Sequence, residues 1–447
     1  MGQPKPEFIW FRPSWNQEEM LYWWAPGSPH RDKAYVAFEG AIRSAKTTSA
    51  AFSFTNWASI SYDNEDFALT AKTIGTCIRN VVRPLRKMLS IEPDYQVKFT
   101  RGREEGPHLD IRLDGYDHKN IFWIYGGRDE SSQDLIQGKT LAGILFDEAP
   151  LMPQSFINQG LARLSVEGAK AWFVFNPETP AHRFYVETLD PFQADNKLYL
   201  LHLTLDDNPS LSDEAKNRIK SQWPVGSILY RRYILGERAA AEGRVYSFFN
   251  ESLGAGYVLE PKQLPEFFSM YLVGLDYGVS NPFAASLWGL SGATWYVLKE
   301  FYWDSVEQQR QRTNQEYVEE LARLCFWNDR IIKPIKILVP PEEPGFQLDI
   351  KKSQHPQLQF VRDCDNSILP GIEDTTSLLA LGKLKISRAC PKMIWGLNNL
   401  LWDPKKQQQG IDMFMKGGSG SPDHAADAMR YIAREAVRQL RQMRLFI

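Results

Sequence analysis

Residues 35–47 read Tyr35-Val-Ala-Phe-Glu-Gly40-Ala-Ile-Arg43-Ser44-Ala45-Lys46-Thr47, an apolar run that breaks at a glycine and opens directly into a helical stretch. A strand feeding a helix through such a turn is the setting of a phosphate-binding loop. Backbone N–H groups at the helix start wrap an anion, the Lys46 ammonium neutralises its outer oxygens, and the Thr47 hydroxyl suits a Mg²⁺ ion. Gly40, Arg43, Ser44, Ala45, Lys46 and Thr47 are therefore candidate nucleotide-binding residues. Ala45 stands where such loops usually carry a second glycine; its Cβ narrows the approach to phosphate but leaves the N–H donor intact. The plain alternative is an ordinary strand-to-helix turn with a surface lysine.

Downstream, Ile144-Leu-Phe-Asp147-Glu148 is an apolar strand ending in two adjacent carboxylates, with the strand-like run 66–70 lying between it and Lys46. Phosphoryl transfer to water needs one acid in the Mg²⁺ shell and one to orient and deprotonate the attacking water. Asp147 and Glu148 fill those places, and without a cation two such acids would repel and be costly to desolvate. ATP hydrolysis is the expectation. Asn176, at the end of the apolar run 171–175, either senses the γ-phosphate or opens an Asn-Pro turn. Gln17 either meets the adenine edge or is merely solvated. Arg43, Arg101, Arg103 and Arg128 are candidates for a charge-neutralising arginine, and the sequence does not choose among them.

From Tyr35 the chain alternates short β-rich runs with helical stretches, and runs such as 144–146 and 172–175 are apolar at successive positions. Strands covered on both faces read this way, so the first half is an α/β domain with a largely parallel sheet flanked by helices. One helix is expected over 74–89. Glycine-rich irregularity over 236–260 marks a junction, which divides the chain into domains 1–245 and 246–447. The second half is also α/β: three consecutive strands, a long helix from about Val306 to Cys325, then a strand that can return beside the first.

In that half, Asp276 ends an apolar strand, and an acid there normally pairs with a cation or a metal. Asp423 and Asp427 lie four apart at the start of the last helix, on one face, with His424 beside the first. Asp423 is either a helix cap or, with Asp276, Asp427 and an acid from Glu342-Glu343, part of a two-metal site that activates water against a phosphodiester. Arg430, Arg434, Arg438, Arg441 and Arg444 give the last helix a basic stripe, suited to phosphates or simply a solvated face.

Composition excludes several classes. The 447 residues are 43% hydrophobic and 24% charged, so the chain is neither one small module nor chiefly disordered. Lys and Arg total 52 against 54 for Asp and Glu, a net charge of -2, so nucleic-acid contact must come from local patches. Cys77, Cys325, Cys364 and Cys390 lie far apart without a metal-ligand spacing, which fits a reducing compartment. No stretch approaches a membrane span and the start lacks a signal pattern, so a cytosolic protein is expected.

Together these stretches resemble the large subunit of a tailed-phage DNA-packaging terminase, of the PBSX-like type also found in defective prophages. The resemblance runs in order through GAIRSAKT, QGKTLAGILFDEAP, FNPETPAHRFY, HLTLDDNPSL, LGERAAAEGRVY, GLDYGVSNP and SPDHAADAMRY. It implies an N-terminal packaging ATPase of the ASCE-type P-loop NTPase fold and a C-terminal RNase H-like endonuclease. It implies ATP with Mg²⁺ at Thr47 and Asp147, Glu148 as hydrolytic base and Asn176 as the coupling residue. It also implies Mg²⁺ or Mn²⁺, two ions, held by Asp276, Asp423 and Asp427. Relatives usually place an aspartate after the fourth strand of the second half, where this chain reads Val339-Pro340-Pro341-Glu342-Glu343; Glu343, or else Glu342, is the expected replacement. Implied partners are double-stranded DNA, a small terminase subunit and the portal of the procapsid. The implied assembly is a ring on the portal, in the host cytoplasm.

Overall fold

The computed structural model describes residues 12–102 and 106–446. Arg103 lies outside the described residues. The chain divides into two compact units: one takes residues up to Lys216 and again Tyr230–Ala240, the other takes Asn217–Leu229 and everything from Ala241.

In the first unit β1 (Tyr35–Gly40), β2 (Asp66–Ala71), β3 (Tyr95–Thr100), β4 (His108–Leu113), β5 (Asn120–Gly126), β6 (Gly143–Asp147), β7 (Lys170–Phe175) and β8 (Leu198–Leu203) form one sheet. Its order is β3-β4-β5-β2-β6-β7-β1-β8. Every pair from β5 to β8 is parallel, while β4 runs antiparallel to both neighbours. Successive residues feed opposite apolar layers: Phe67, Leu69, Leu145 and Trp172 go to one, Ala68, Ile144, Phe146 and Phe173 to the other. That two-sided burial is why these strands read as unbroken apolar runs. The helical stretch over 74–89 is interrupted by a π-helical turn, Ile78–Val82. Pro84, in the first turn of the segment that follows, has no N–H to continue the regular ladder.

The second unit holds β9 (Val258–Leu259), β10 (Met270–Asp276), β11 (Phe283–Ser291), β12 (Thr294–Trp303), the two-residue partners β13 (Phe326–Trp327) and β14 (Arg330–Ile331), β15 (Lys336–Val339), β16 (Val361–Asp363) and β17 (Leu384–Ser387). Except for the β13-β14 pair they make one sheet ordered β16-β15-β10-β11-β12-β17-β9. Strands β10, β11 and β12 form an antiparallel meander, and β15 does return beside β10, in parallel. The long helix expected from Val306 is shorter, Asn314–Leu324. Its start is set by Thr313 and Glu316, which form a capping box. Asp304 accepts the Val306 and Glu307 N–H groups and commits the preceding residues to a turn.

The closing helix, Asp423–Gln442, packs its apolar face on this sheet. Gly274 of β10 makes the approach possible, because a Cβ there would stand 2.3 Å from Cγ1 and 2.9 Å from Cδ1 of Ile432. Gly274→Ala is expected to lower the unfolding free energy of the second unit by about 1–3 kcal/mol, and by clearly less in an Ile432→Ala background. Denaturant titration of the four variants checks this; equal losses in both backgrounds would contradict the packing described.

Candidate functional site

Parallel order brings the carboxyl ends of β1, β6 and β7 to one edge, and the sequence-identified loop, Asp147-Glu148 and Asn176 follow directly from those ends. Gly40 owes its place to packing, since a Cβ would meet the Leu203 carbonyl oxygen of β8 at 2.0 Å. The next residue, Ala41, donates its N–H to that same carbonyl at 2.8 Å. Arg43 and Ala45 both have left-handed backbone, φ 58° and 67°. For residues with a Cβ that conformation costs roughly 1–2 kcal/mol each. Left-handed residues flank Ser44, and alternation of left-handed with right-handed residues is the kind of backbone from which anion nests are built. The helix Lys46–Ser61 then begins with no side-chain cap.

Lys46 is buried and donates to the Ala41 carbonyl at 2.8 Å and to Asn176 Oδ1 at 2.6 Å. Thr47 Oγ1 donates to Asp147 Oδ1 at 2.9 Å. Asp147 is 2% exposed, and its Oδ2 is buried without a hydrogen-bond partner. Burial lowers the Lys46 pKa to about 8 against the attraction of Asp147 and Glu148. Burial and then the Glu148 charge raise Asp147 to about 7, against the Thr47 hydrogen bond and Lys46. Glu148 is partly exposed with left-handed backbone at φ 59°, and its N–H is tied to the Val174 carbonyl at 2.8 Å. Such a backbone, held by its surroundings, aims a side chain that a relaxed turn would not.

Other candidates fall differently. Gln17 is buried, and its Oε1 accepts the Ser14 N–H at 3.2 Å while its own N–H donates to Ser14 Oγ at 3.3 Å. It is thus engaged in capping its own helix. Arg43, Arg101 and Arg128 are exposed. Sequence reading missed Asn208, which donates from Nδ2 to the Arg43 carbonyl at 2.7 Å. It also missed Arg238, whose Nε donates to both oxygens of Glu39 at 2.8 and 2.9 Å just before the loop.

In the second unit, Asp276 Oδ2 faces His424 Nδ1 at 2.8 Å, and His424 Nε2 faces the Gly417 carbonyl at 3.1 Å. The Gly417 carbonyl can only accept, so Nε2 carries a proton, and Nδ1 shares a hydrogen bond with the Asp276 carboxyl. Burial alone would lower the His424 pKa, but the Asp276 hydrogen bond and the Asp423 and Asp276 charges raise it. Burial raises Asp276, with His424 opposing and Asp427 adding to the rise. Asp427 is buried between two cations: Oδ1 accepts from Arg430 Nε at 3.0 Å and Nη2 at 2.8 Å, and Oδ2 lies 3.5 Å from Lys416 Nζ. Asp423 heads its helix without capping it, and its Oδ1 is buried with no hydrogen-bond partner.

Two of the five arginines of the basic stripe are consumed. Arg430 is buried and also donates to the Asn366 and Ser367 carbonyls, while Arg434 pairs with Asp365 and Asp374. Arg438, Arg441 and Arg444 remain exposed. The parallel register of β15 on β10, Leu272 with Lys336 and Gly274 with Leu338, puts Pro340 level with Asp276. Glu342 is exposed and accepts from Asn366. Glu343 is half-buried, and its electrostatic neighbours are Glu342 and Tyr277, the residue after Asp276. Among the described residues no group of three or more His, Cys, Asp or Glu stands close enough to hold a metal ion.

The donor sets still suit cations. The bare buried Oδ2 of Asp147 beside a hydroxyl fits Mg²⁺, and Oδ1 of Asp423, without a hydrogen bond and 3.9 Å from His424 Nε2, fits a divalent ion. At Asp427 such an ion would have to take the place of the Lys416 ammonium.

Residues 37–253 match the family model described as terminase large subunit, T4likevirus-type, N-terminal. The solved large terminase of a thermophilic bacteriophage is 36% identical with a TM-score of 0.83, over 95% of this chain and 99% of that one. The same phage protein in complex with ATP-γS superposes with a TM-score of 0.79 at 35% identity, over 94% and 98%. The large terminase subunit of Escherichia phage T5 is 24% identical over 377 residues, 78% of this chain and 80% of its own length. The ordered series of motifs, the fold and these relatives agree: the chain belongs to the large terminase subunits of phages.

Proposed function

We propose that the first unit is an ASCE-type P-loop ATPase and the second an RNase H-like endonuclease, together an ATP-driven motor that packages double-stranded DNA and cuts it. The observation that carries the ATPase reading is the convergence of Lys46, Thr47, Asp147 and Asn176 at the carboxyl edge of the parallel sheet, where such folds bind ligands. A relative's complex with ATP-γS supports it. Phosphates would rest on the N–H groups of residues 44–47, and Lys46 would exchange the Asn176 amide for a γ-phosphate oxygen. Asn176, freed by that exchange, would report the nucleotide state. Thr47 and Asp147 would hold Mg²⁺, which supplies charge neutralisation. Glu148 would take the proton of the attacking water.

In the second unit Asp276, Asp423 and Asp427 would hold Mg²⁺ or Mn²⁺, which supplies an activated water and a Lewis acid. His424 holds Asp276 in place, and Arg430 does the same for Asp427. Glu343, or else Glu342, would supply the fourth acid where relatives carry an aspartate after the returning strand. The meander with β15 returning beside β10 supports the RNase H-like assignment. No helix among the described residues is long and apolar enough to cross a membrane. Family membership supports action in the host cytoplasm, as a ring on the procapsid portal with a small terminase subunit.

Glu148→Gln is expected to keep ATP binding and lose hydrolysis by about 10² or more, since a positioned base contributes that much. Steady-state turnover beside equilibrium nucleotide binding checks it, and near wild-type turnover would assign the base elsewhere. Plasmid incubated with the protein and Mn²⁺ is expected to be nicked and linearised, and Asp276→Ala is expected to abolish this while ATP turnover persists. Continued cutting by the mutant would remove Asp276 from the site.

A further inference from the structure

The stretch 205–210, part of HLTLDDNPSL, contributes nothing to the chemistry above, yet it touches the phosphate loop at one of its two left-handed residues. Asn208 is 6% exposed and donates from Nδ2 to the Arg43 carbonyl oxygen at 2.7 Å. The orientation of the amide is set independently, because Oδ1 accepts the Ser210 N–H at 3.1 Å and the Ser210 hydroxyl at 2.7 Å. With two donors on the oxygen side, the NH₂ must face Arg43. The turn beneath it is fixed as well. Asp207 Oδ2 accepts from Thr204 N at 2.7 Å and Oγ1 at 2.9 Å, and Asp207 Oδ1 accepts from Asn16 at 3.0 Å.

Arg43 and Ala45 are the loop's left-handed residues, and neither is the glycine that would adopt that backbone freely. Something outside the loop must hold it. We propose that Asn208 is the positioning residue that does so, standing in for the missing glycine by bonding the Arg43 carbonyl and so keeping the N–H groups of residues 44–47 convergent on phosphate. This rests on the nucleotide-binding reading of the loop.

The test is equilibrium binding of ATP-γS by the full chain. Asn208→Ala is expected to weaken binding about tenfold, and Asn208→Asp at least as much, because a carboxylate oxygen would then face a carbonyl oxygen. Ala45→Gly in the Asn208→Ala background is expected to restore most of the affinity, which a general loss of packing would not allow. Wild-type affinity in Asn208→Ala, or a loss that Ala45→Gly leaves unchanged, overturns the proposal. Should Asn208→Ala not fold, Ser210→Ala removes one of the two orienting donors and is expected to weaken binding about two- to threefold; unchanged affinity there also overturns it. Lys46→Ala reports separately on the loop itself: if it binds ATP-γS as wild type does, the nucleotide-binding reading fails whatever Asn208 does.

Discussion

A lysine ammonium buried at the end of a parallel sheet governs the first unit. Lys46 makes its two hydrogen bonds to neutral oxygens, the Ala41 carbonyl and the Asn176 amide, while the nearby carboxylate of Asp147 keeps one buried oxygen without a hydrogen-bond partner. Burial pushes the lysine down and the aspartate up, each toward its neutral form. An arrangement that disfavours both charges is poised for a ligand carrying both signs, an anionic phosphate with its cation. The sheet order imposes this. With β7 between β1 and β6, strands distant in sequence end side by side, and their last residues have no choice but to meet.

The second unit answers the same electrostatic problem differently. Three neighbouring acids would repel one another, and here protein side chains hold two of them: His424 on Asp276, Lys416 and Arg430 on Asp427. Arg430 is covered and also satisfies two backbone carbonyls, so its role is scaffolding. Lys416 is exposed and reaches Asp427 from the glycine-rich loop 416–420. Of the two cations, Lys416 is the one a divalent ion could displace without unpacking the helix.

Much of this was legible in the sequence because it is local. Unbroken apolar runs disclosed two-sided strands, the loop-then-helix pattern disclosed Lys46 and Thr47, and Asp147-Glu148 disclosed itself as a pair of acids ending a strand. What escaped depends on partners far along the chain. Asn208 meets Arg43 across 165 residues. Arg430 looks like one more member of a basic stripe until its neighbours show it to be enclosed. Gln17 escaped for a local reason instead: Ser14-x-x-Gln17 is a capping box, in which the serine three residues earlier occupies its side chain. The helix expected from Val306 failed for a local reason that periodicity conceals, since Thr313 and Glu316 set its start. Backbone left-handedness at Arg43, Ala45 and Glu148 is equally hidden, because none of the three is a glycine.

A crystal structure of the full chain grown with a non-hydrolysable ATP analogue and Mg²⁺ tests the central claim most directly. The expected result is the triphosphate on the N-terminal end of the Lys46–Ser61 helix, with Lys46 Nζ moved off Asn176 onto the γ-phosphate and Asp147 Oδ2 turned toward the cation. A triphosphate bound elsewhere, or Lys46 still bonded to Asn176 beneath a bound nucleotide, would contradict it.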